Sequence, residues 1–332
     1  MNAWAALKRA GVLGINRRNL EFILPKNPRR HYPRVDDKLI TKRLCTKAGI
    51  PVPELLASAS NPFDLGRVVE VVKAQPSFVM KPARGAMGNG TLVVREVREG
   101  DGQATFLRAG GRALTTSELL YHGSGIIAGL YSLGGRIDTA MIEELLVVHE
   151  ELLSISYDGV PDVRVILYRG VPVMSMMRLP TKVAGGRANL HQGAVGAGID
   201  IDTGLTCHAV LRNEPVKVHP DTKESVVGRA IPAFERVLEI ATRAADESGL
   251  GYVGADVVVD ARKGPVILEL NARPGLSIQI ANRAGLVPRL EAIDAFFAGR
   301  TVVTSPHGDL PVSDRLALGR DVARRLKKGR RA

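Results

Sequence analysis

Two short apolar runs near the C-terminal end constrain the fold of this chain more than any other feature. Residues 257–259 and 266–268 are apolar and partly β-branched, and the turn-forming residues 260–265 separate them. This spacing predicts two antiparallel strands joined by a tight turn. The segment around residues 256–273 is therefore expected to form a β-hairpin.

The predicted hairpin carries four polar side chains close together. Side chains alternate between the two faces of a strand, so Glu269, Asn271 and Arg273 are predicted to share one face. Pairing of the two strands can bring Asp256, thirteen residues before Glu269, opposite them. Carboxylate and amide oxygens are ligands of Mg²⁺, and an arginine beside them can bind a phosphoryl oxygen. An ordinary exposed strand face is the alternative interpretation.

Length and composition indicate a globular chain with two or three domains or lobes. The chain has 332 residues, of which 45% are hydrophobic and 24% charged. Cys45 and Cys207 are its only cysteines, which argues against a disulfide framework or a zinc site. The sequence shows neither a membrane-spanning stretch nor a signal peptide, so we expect a cytoplasmic protein.

Positive charge is concentrated at both ends of the chain. Residues 1–47 carry a net charge of +9 and residues 314–332 a net charge of +6, so the remainder carries −3 of the total of +12. Basic ends can contact nucleic acid, an anionic membrane surface, an acidic polymer or a protein partner, or they can simply be solvated. Aromatic residues make up only 4% of the chain, which argues against nucleic acid.

Hydrophobic periodicity and turn residues predict an α+β order of elements rather than a doubly wound sheet. Residues 180–225 are rich in glycine and are predicted to form a functional loop region. Helices are predicted over residues 3–10, 39–48, 65–74, 116–133, 226–247, 278–284 and 288–298. Strands are predicted over residues 77–81, 91–97, 140–148, 162–168 and 171–178, besides the hairpin.

A glycine-rich segment between two predicted strands suggests a phosphate-binding loop. Gly85, Gly88 and Gly90 follow directly after the strand that ends at Lys81. A Walker A or Rossmann loop runs from a strand into a helix, and the chain has no Gly-Lys dipeptide, so both classes are excluded. A mobile hairpin loop that closes over phosphates remains, with a simple flexible turn as the alternative. Lys81 and Lys38 can supply positive charge to the same phosphates or be surface residues.

Other candidate residues have weaker support from the pattern alone. Residues 141–146 combine a strand with two carboxylates. Exposed backbone N–H and C=O groups of such a segment can read an adenine edge, while an acid binds an amine or a ribose hydroxyl. Arg178 and Arg187 can hold a substrate carboxylate through paired hydrogen bonds or be solvated. His191 can act as a base toward an amine, although a lone loop histidine is more often structural.

Six motifs, taken in order, resemble the ATP-grasp superfamily. The segment from Arg187 to Gly193, with the glycine-rich stretch after it, looks like the RimK-related α-L-glutamate ligases and the sugar-transfer-associated ATP-grasp proteins. The resemblance covers residues 15–299. The motifs lie at residues 36–53, 79–90, 142–146, 162–165, 187–191 and 269–275.

This resemblance implies a role for each matching position. It implies an α+β fold whose two lobes hold ATP between two antiparallel sheets, with ATP and two Mg²⁺ ions as cofactors, for which Mn²⁺ can substitute. Arg273 matches a position that steadies the transferring phosphoryl group. The implied Mg²⁺ ligands are Asp256, Glu269 and Asn271. The implied ATP contacts are Lys38, Lys81, Gly85, Gly88, Gly90, Glu143, Glu144, Leu146, Asp162, Arg187 and Asn189.

The implied activity is that of an ATP-dependent carboxylate–amine ligase. Only about 35 residues precede Asp36, whereas RimK-type ligases carry a full α/β domain there, so another segment or a partner is expected to recognise the substrates. A non-catalytic ATP-binding protein and a phosphotransferase are the alternatives. The predicted regions are a basic arm (1–35), a small lobe (36–146), a large lobe (147–299) and a basic tail (300–332).

Overall fold

The computed structural model describes residues 3–100, 103–132, 134–298 and 310–329. Its chain divides into two compact units. The smaller unit comprises Asp37–Leu39 and Pro53–Val147, and the larger unit comprises Met1–Asp36, Ile40–Val52 and Val148–Ala332. The region boundaries predicted at residues 35, 146 and 299 stay a prediction.

The smaller unit is built on a six-stranded antiparallel sheet in the order β1-β6-β2-β3-β4-β5. The glycine-rich segment connects β2 to β3, between two strands as the sequence predicts. The strands are β1 (Leu55–Ala59), β2 (Phe78–Pro82), β3 (Leu92–Gly100), β4 (Gln103–Arg108), β5 (Ala113–Thr115) and β6 (Ala140–Glu143).

The larger unit is built on a seven-stranded antiparallel sheet in the order β11-β10-β9-β8-β7-β12-β13. Its β12–β13 pair is the hairpin predicted from the apolar runs, and β7–β8 is the second predicted hairpin. The strands are β7 (Asp162–Tyr168), β8 (Val171–Leu179), β9 (Val195–Ile199), β10 (Thr206–Leu211), β11 (Glu214–Val216), β12 (Tyr252–Asp260) and β13 (Gly264–Asn271).

In the part of the chain that the structure describes, eight α-helices lie wholly in the larger unit and two lie in the smaller one. Helix α4 (Lys38–Lys47) begins in the smaller unit and continues in the larger one. A π-helical turn over Arg18–Ile23 continues α2. The α-helices are α1 (Ala3–Arg9), α2 (Ile15–Arg17), α3 (Pro33–Asp36), α4 (Lys38–Lys47), α5 (Pro62–Lys73), α6 (Thr116–Ile127), α7 (Glu150–Leu153), α8 (Phe234–Ser248), α9 (Ile278–Ala281), α10 (Val287–Phe297) and α11 (Val312–Lys328).

Both faces of the large sheet are covered by hydrophobic cores. Helix α8 packs its buried stripe, including Val237 and Leu238, on the face that carries Val165. The opposite face carries Ile166 and buries side chains of α10 such as Leu290. Strand alternation places Asp162, Arg164 and Asp256 on this second face, beyond its apolar part.

The small sheet has its own core beneath α5 and α6. Phe78 and Phe106 are fully buried and meet edge to face at 5.9 Å. Helix α6 begins at a capping box, in which the Thr115 hydroxyl accepts a hydrogen bond from Glu118 N and the Glu118 carboxylate accepts one from Thr115 N. The cap is therefore Thr115, one residue before the predicted position.

Three predicted helices are shorter than the periodicity suggested. Helix α9 ends at Ala281 rather than at residue 284, ahead of the left-handed Arg283 (φ +45°). Helix α6 ends at Ile127 rather than near residue 133, because Gly129 has φ +85° and its Cβ would lie 2.4 Å from Arg136 O. Helix α8 begins at Phe234 rather than at residue 226, because Pro232 and the left-handed Ala233 (φ +50°) precede it.

The strands were also incompletely predicted. The strand expected over residues 140–148 ends at Glu143 in β6. The region 180–225, expected to be mostly loop, contains β9, β10 and β11. Strand β9 could not be predicted from residue propensities, because it contains glycines, which have a low strand propensity. Glycine is required at position 198 because a Cβ there would lie 2.5 Å from Ala281 O.

The structure describes part of each basic end of the chain. Within the predicted tail, residues 312–328 form α11, whose Arg315 makes a two-point ion pair with Asp246 of α8 at 2.7 Å. Residues 300–309 and 330–332 of that tail lie outside the described residues. No helix in the described part of the chain combines the length and hydrophobicity that crossing a membrane requires.

Candidate functional site

The three predicted metal ligands converge on the β12–β13 hairpin. Strand register pairs Asp256 with Glu269, next to an irregularity between Asp256 and Val257. The Asn271 amide nitrogen lies 3.2 Å from Asp256 Oδ2 and 3.3 Å from Glu269 Oε1. The carboxyl groups of Asp256 and Glu269 are also within interaction range of each other. The hairpin thus concentrates two acids and an amide on one face of the sheet.

Asp256 is completely buried and is held by two arginines from neighbouring strands. Arg164 donates from Nε to Oδ1 at 2.7 Å and from Nη2 to Oδ2 at 2.6 Å. Arg178 donates from Nη2 to Oδ2 at 2.7 Å. Register explains both contacts, because β12 pairs Asp256 directly with Arg164 of β7, and β8 lies on the other side of β7.

A second carboxylate extends this network. Asp162 lies opposite Arg178 in the β7–β8 register and accepts hydrogen bonds from its Nε and Nη2, both at 2.6 Å. Acidic and basic side chains therefore alternate across three adjacent strands. Arg178 uses Nε and Nη2 to hold Asp162 and Asp256, so those two atoms already have acceptors within the protein.

The arginines set the charge state of the buried acids. Burial alone would raise the pKa of Asp256, but Arg164 and Arg178 outweigh burial and hold that pKa below its usual range. Burial raises the pKa of Asp162 to about 6, against the opposing effect of Arg178. Asp256 is consequently an anion at neutral pH, as a metal ligand must be.

The donor set fits a hard divalent cation. Two contacting carboxylates repel each other unless a cation or a proton lies between them, and carboxylate with amide oxygen suits Mg²⁺. Asp256 Oδ1 accepts a hydrogen bond from Arg164 Nε. Within the described ranges, no group of three or more His, Cys, Asp or Glu side chains is placed so that it could hold a metal ion. The fit therefore depends on Asn271 as the third ligand, with its amide turned so that Oδ1 rather than Nδ2 faces the two carboxylates.

Arg273 lies just beyond this group and is exposed. Its guanidinium stacks over the Tyr32 ring, with 5.0 Å from Cζ to the ring centroid. The alternation that predicted a shared face with Asn271 stops at the end of β13, because Asn271 is the last residue of the strand. Arg273 is thus anchored by an aromatic ring from the N-terminal segment of the same unit.

In the smaller unit, two predicted ATP contacts form a buried ion pair. Lys81 Nζ lies 2.5 Å from Glu143 Oε2, and both side chains are nearly inaccessible to solvent. The pairing of β2 with β6 brings them together, since Lys81 is opposite Met141 and Val79 is opposite Glu143. Lys81, one residue before the end of β2, is thus fixed at the base of the glycine-rich loop.

The glycine-rich loop is held at its base and packed on a ring at its far end. Lys38 Nζ donates to Gly85 O at 2.6 Å, and a Cβ on Gly85 would lie 2.2 Å from Pro82 Cγ. Gly88 and Gly90 both have φ +74°. A Cβ on Gly90 would lie 2.5 Å from the Tyr131 ring. Glycine is therefore required at all three predicted positions by backbone conformation or by close packing.

Two residues that the sequence reasoning missed fix the ends of this loop. Asp138 is buried and accepts hydrogen bonds from Arg84 N at 3.0 and 3.2 Å and from the Ser132 hydroxyl. His122 Nε2 contacts Gly90 O at 2.9 Å. The backbone between them, residues 86–89, bends through left-handed conformations at Met87 and Gly88. Neither anchor has a sequence signal, because each acts across a sequence separation of 32 or more residues.

The segment 143–146 leaves the small sheet directly after Glu143. Glu144 N donates to Glu54 O at 3.1 Å, and Glu144 Oε1 accepts from Glu54 N at 2.8 Å. Leu146 is buried. The side chain of Glu144 thus stabilises the connection before β1.

The segment 181–193 of the larger unit is a loop that carries the predicted residues Arg187, Asn189 and His191. Asn189 Oδ1 accepts a hydrogen bond from His191 N at 3.0 Å and caps a short 3₁₀ turn. Arg187 and His191 are exposed. Buried His219 holds the start of this loop, since its Nε2 lies 2.9 Å from Pro180 O.

Arg164 is the most important residue near the hairpin that sequence reasoning did not assign a role. It lies two positions after Asp162, so strand alternation places both on one face. That spacing was a usable signal. The sequence does not reveal that Arg164 binds Asp256, because the pairing of β7 with β12 joins residues 92 positions apart.

Comparison with known proteins gives one family and several distant structures. The profile of the sugar-transfer-associated ATP-grasp family matches residues 17–295. A search of curated proteins finds no match. Among solved structures, the ATP-grasp ligase PsnB complexed with a minimal precursor matches at 18% identity with a TM-score of 0.43, over 82% of this chain and 63% of that chain. The present chain thus spans less than two thirds of PsnB.

Two further structures show similar levels of likeness. A RiPP-associated ATP-grasp ligase of Chryseobacterium gregarium, in complex with ADP and a leader and core peptide, matches at 12% identity and a TM-score of 0.46, over 90% of this chain and 72% of that chain. D-alanine–D-alanine ligase from Bacillus anthracis matches at 14% identity and a TM-score of 0.43, over 90% of this chain and 71% of that chain. The family profile is the stronger finding.

Proposed function

The chain belongs to the sugar-transfer-associated ATP-grasp family, and on that premise we propose that it is an ATP- and Mg²⁺-dependent carboxylate–amine ligase that forms ADP. The observation that carries the proposal is the convergence of Asp256, Glu269 and Asn271 on one hairpin face. In the proposal these three residues hold Mg²⁺. When bound there, the metal neutralises charge on the phosphoryl group being transferred.

The smaller unit supplies the proposed contacts to ATP. Lys38 and Lys81 lie at the base of the glycine-rich loop, where ammonium groups suit phosphate oxygens. The loop glycines expose backbone N–H groups to the same phosphates. Residues 143–146 are the proposed adenine contacts. In the larger unit, Asp162, Arg187 and Asn189 are proposed, residue by residue from the family resemblance, as nucleotide contacts.

The proposed reaction has two steps. A carboxylate oxygen of the substrate attacks the γ-phosphorus of ATP, and the bond between that phosphorus and the β,γ-bridging oxygen breaks. An acyl phosphate forms, and ADP departs. An amine nitrogen then attacks the acyl carbon, phosphate departs, and the nitrogen loses a proton to give an amide or peptide bond. Such chemistry requires mainly positioning and charge stabilisation from the protein.

Arginines have distinct roles in this proposal. Arg273 steadies the transferring phosphoryl group, and Arg187, being exposed, is able to hold the substrate carboxylate. Arg178 orients Asp256 and Asp162 through Nε and Nη2. The amine component in this proposal is glutamate or a similar amino acid, and the carboxylate belongs to a small molecule or a peptide.

The direct experiment compares the wild-type chain with Glu269→Gln in an ADP-release assay. Amino acids, dicarboxylates and amines are screened in pairs, and mass spectrometry identifies the product. We expect amine-dependent ADP release by the wild type and a loss of at least about 100-fold in Glu269→Gln, because the substitution removes one ligand charge. Glu70→Gln, on the exposed side of α5, is the matched control.

Three outcomes separate the proposal from other activities. Glu269→Gln with wild-type activity and an unchanged melting temperature would reject the metal site. ADP release that consumes no amine and leaves a phosphorylated carboxylate would identify a phosphotransferase instead. Tight ATP binding without turnover across the whole screen would identify a non-catalytic nucleotide-binding protein.

A further inference from the structure

Residues 7–24 of the larger unit carry several exposed apolar side chains. Large hydrophobic residues are normally exposed singly along a surface. Here five occur within eighteen positions, on α1, on the turn after it, and along α2 and the π-helical turn. These residues, called the N-terminal apolar surface below, are Leu7 (48% exposed), Val12 (37%), Ile15 (62%), Leu20 (65%) and Leu24 (57%).

The segment that carries this surface is fixed to the large unit. Leu13, Phe22 and Ile23 are buried in the core beneath α10. Leu13 N donates to Gln279 Oε1 at 2.8 Å, and Gln279 Nε2 donates back to Leu13 O at 3.1 Å. Arg18 Nη1 donates to Pro274 O at 2.8 Å. The apolar side chains are therefore held outward by a packed element.

A second anchor lies at the end of the segment. The Asn27 side chain accepts a hydrogen bond from Tyr252 N and donates one to Tyr252 O, at 2.8 and 2.7 Å. Leu20 and Leu24 are separated by four positions, about one helical turn, so they lie on the same side of the helix. Their exposure is a property of the folded unit.

Charge on the same segment is almost entirely positive. Residues 3–34 contain eight Lys or Arg and one acidic residue, Glu21, a net charge of +7. Lys8, Arg29 and Arg30 are exposed. Exposed apolar side chains among basic residues match the two components of an anionic bilayer surface, its acyl boundary and its acidic headgroups.

We propose that the N-terminal apolar surface binds the larger unit to an anionic membrane surface. Leu20, Leu24 and Ile15 enter the headgroup region, and Lys8, Arg29 and Arg30 contact acidic lipids. A bilayer is favoured over a protein partner because the charge has nearly one sign and the apolar side chains are spread over short helices. Insertion into headgroups demands no complementary shape.

The test is flotation of the full chain with lipid vesicles. One set contains phosphatidylcholine alone, and the other contains phosphatidylcholine mixed with phosphatidylglycerol. We expect flotation with the anionic set only, reduced by high salt. Leu20→Glu combined with Leu24→Glu should lower the partition coefficient by about 100-fold, since each substitution removes an inserted apolar side chain. Lys8→Glu combined with Arg30→Glu should lower it at low salt as well.

Leu153→Glu is the matched control, because Leu153 is 57% exposed on the same unit, as Leu24 is, but lies outside the N-terminal segment. It should float as the wild type does. Melting temperatures verify that every variant is folded. Absence of flotation by the wild type at low salt would overturn the proposal.

Two other outcomes would also overturn it. Undiminished flotation by the Leu20→Glu, Leu24→Glu variant would mean that the contact is a purely electrostatic one, of the kind that any polyanion makes. Lipid-independent dimers that the same variant abolishes, measured by light scattering at increasing protein concentration, would show that a second copy of the chain covers the surface.

Discussion

Asp256 is a carboxylate removed from solvent whose charge is balanced within the protein rather than by water. Arg164 and Arg178 donate three hydrogen bonds to it, and both arginine side chains are themselves nearly buried. Removing one partner from such a group leaves an uncompensated buried charge. The arginines thereby maintain an anionic, oriented Asp256 even in the absence of a metal.

Arg164→Met should destabilise the larger unit by about 3–5 kcal/mol, because it leaves Asp256 with one arginine and keeps most of the side-chain volume. Urea unfolding followed by circular dichroism measures the change. Arg164→Lys retains the charge but loses the two-point geometry, so we expect an intermediate loss. A change below about 0.5 kcal/mol for Arg164→Met, the range of ordinary surface substitutions, would show that the pair contributes little to stability.

At the scale of elements, the loop after β8 depends on one buried histidine. His219 Nδ1 accepts hydrogen bonds from Asp221 N and Thr222 N at 3.3 Å, while Nε2 faces Pro180 O. Nδ1 must be unprotonated to accept these bonds, and Nε2–H then donates to the carbonyl. Burial lowers the pKa of His219 below its ordinary value, which agrees with this neutral form.

The lowered pKa of His219 predicts a pH-dependent stability. The unfolded chain binds the proton more readily, so the stabilising contribution is present above the unfolded pKa of about 6.5 and is lost as pH falls through the folded pKa. Melting temperatures measured between neutral pH and pH of about 5 should fall more steeply for the wild type than for His219→Gln. His191→Gln, at an exposed position of the same region, should follow the wild type. Identical slopes for wild type and His219→Gln would contradict the assignment.

The elements that could be predicted from sequence are those whose pattern is local. The β12–β13 hairpin follows from two β-branched runs and a turn, and Glu269 and Asn271 follow from strand alternation. Strand β9 could not be predicted in this way, because Gly196 and Gly198 are selected by close packing rather than by propensity. The end of α6 could not be predicted for a similar reason: the apolar pattern continues past Ile127, although the chain turns at Gly129.

Contacts between distant segments account for the rest of the candidate site. Arg164 and Asp138 each bind a residue more than fifty positions away, so their partners emerge only from the sheet order and the loop packing. The resemblance to ATP-grasp proteins supplied residue roles that no local pattern contains. The roles assigned to all of the candidate site residues stay predictions.

For the whole molecule, nucleotide binding is measurable apart from turnover. A ligand that binds only the folded protein stabilises it by about 2.7 kcal/mol at a concentration 100 times its Kd. ATP with Mg²⁺ should therefore raise the melting temperature more than ATP or Mg²⁺ alone. In Glu269→Gln the additional increase due to Mg²⁺ should disappear, while the increase due to ATP alone remains. Equal shifts with and without Mg²⁺ in the wild type would contradict the metal site.

The alternating charges on β7, β8 and β12 have a consequence for how the chain reaches its fold. In the native register Asp162 faces Arg178 and Arg164 faces Asp256. Sliding β12 by two residues against β7 would set Asp256 opposite either Asp162 or the apolar Ile166. Sliding by one would turn the charges into the core under α8. Misaligned hairpins are thus energetically unfavourable while the sheet assembles. The apolar valines and isoleucines of the central strands are similar to one another, so the charged side chains select the one correct register.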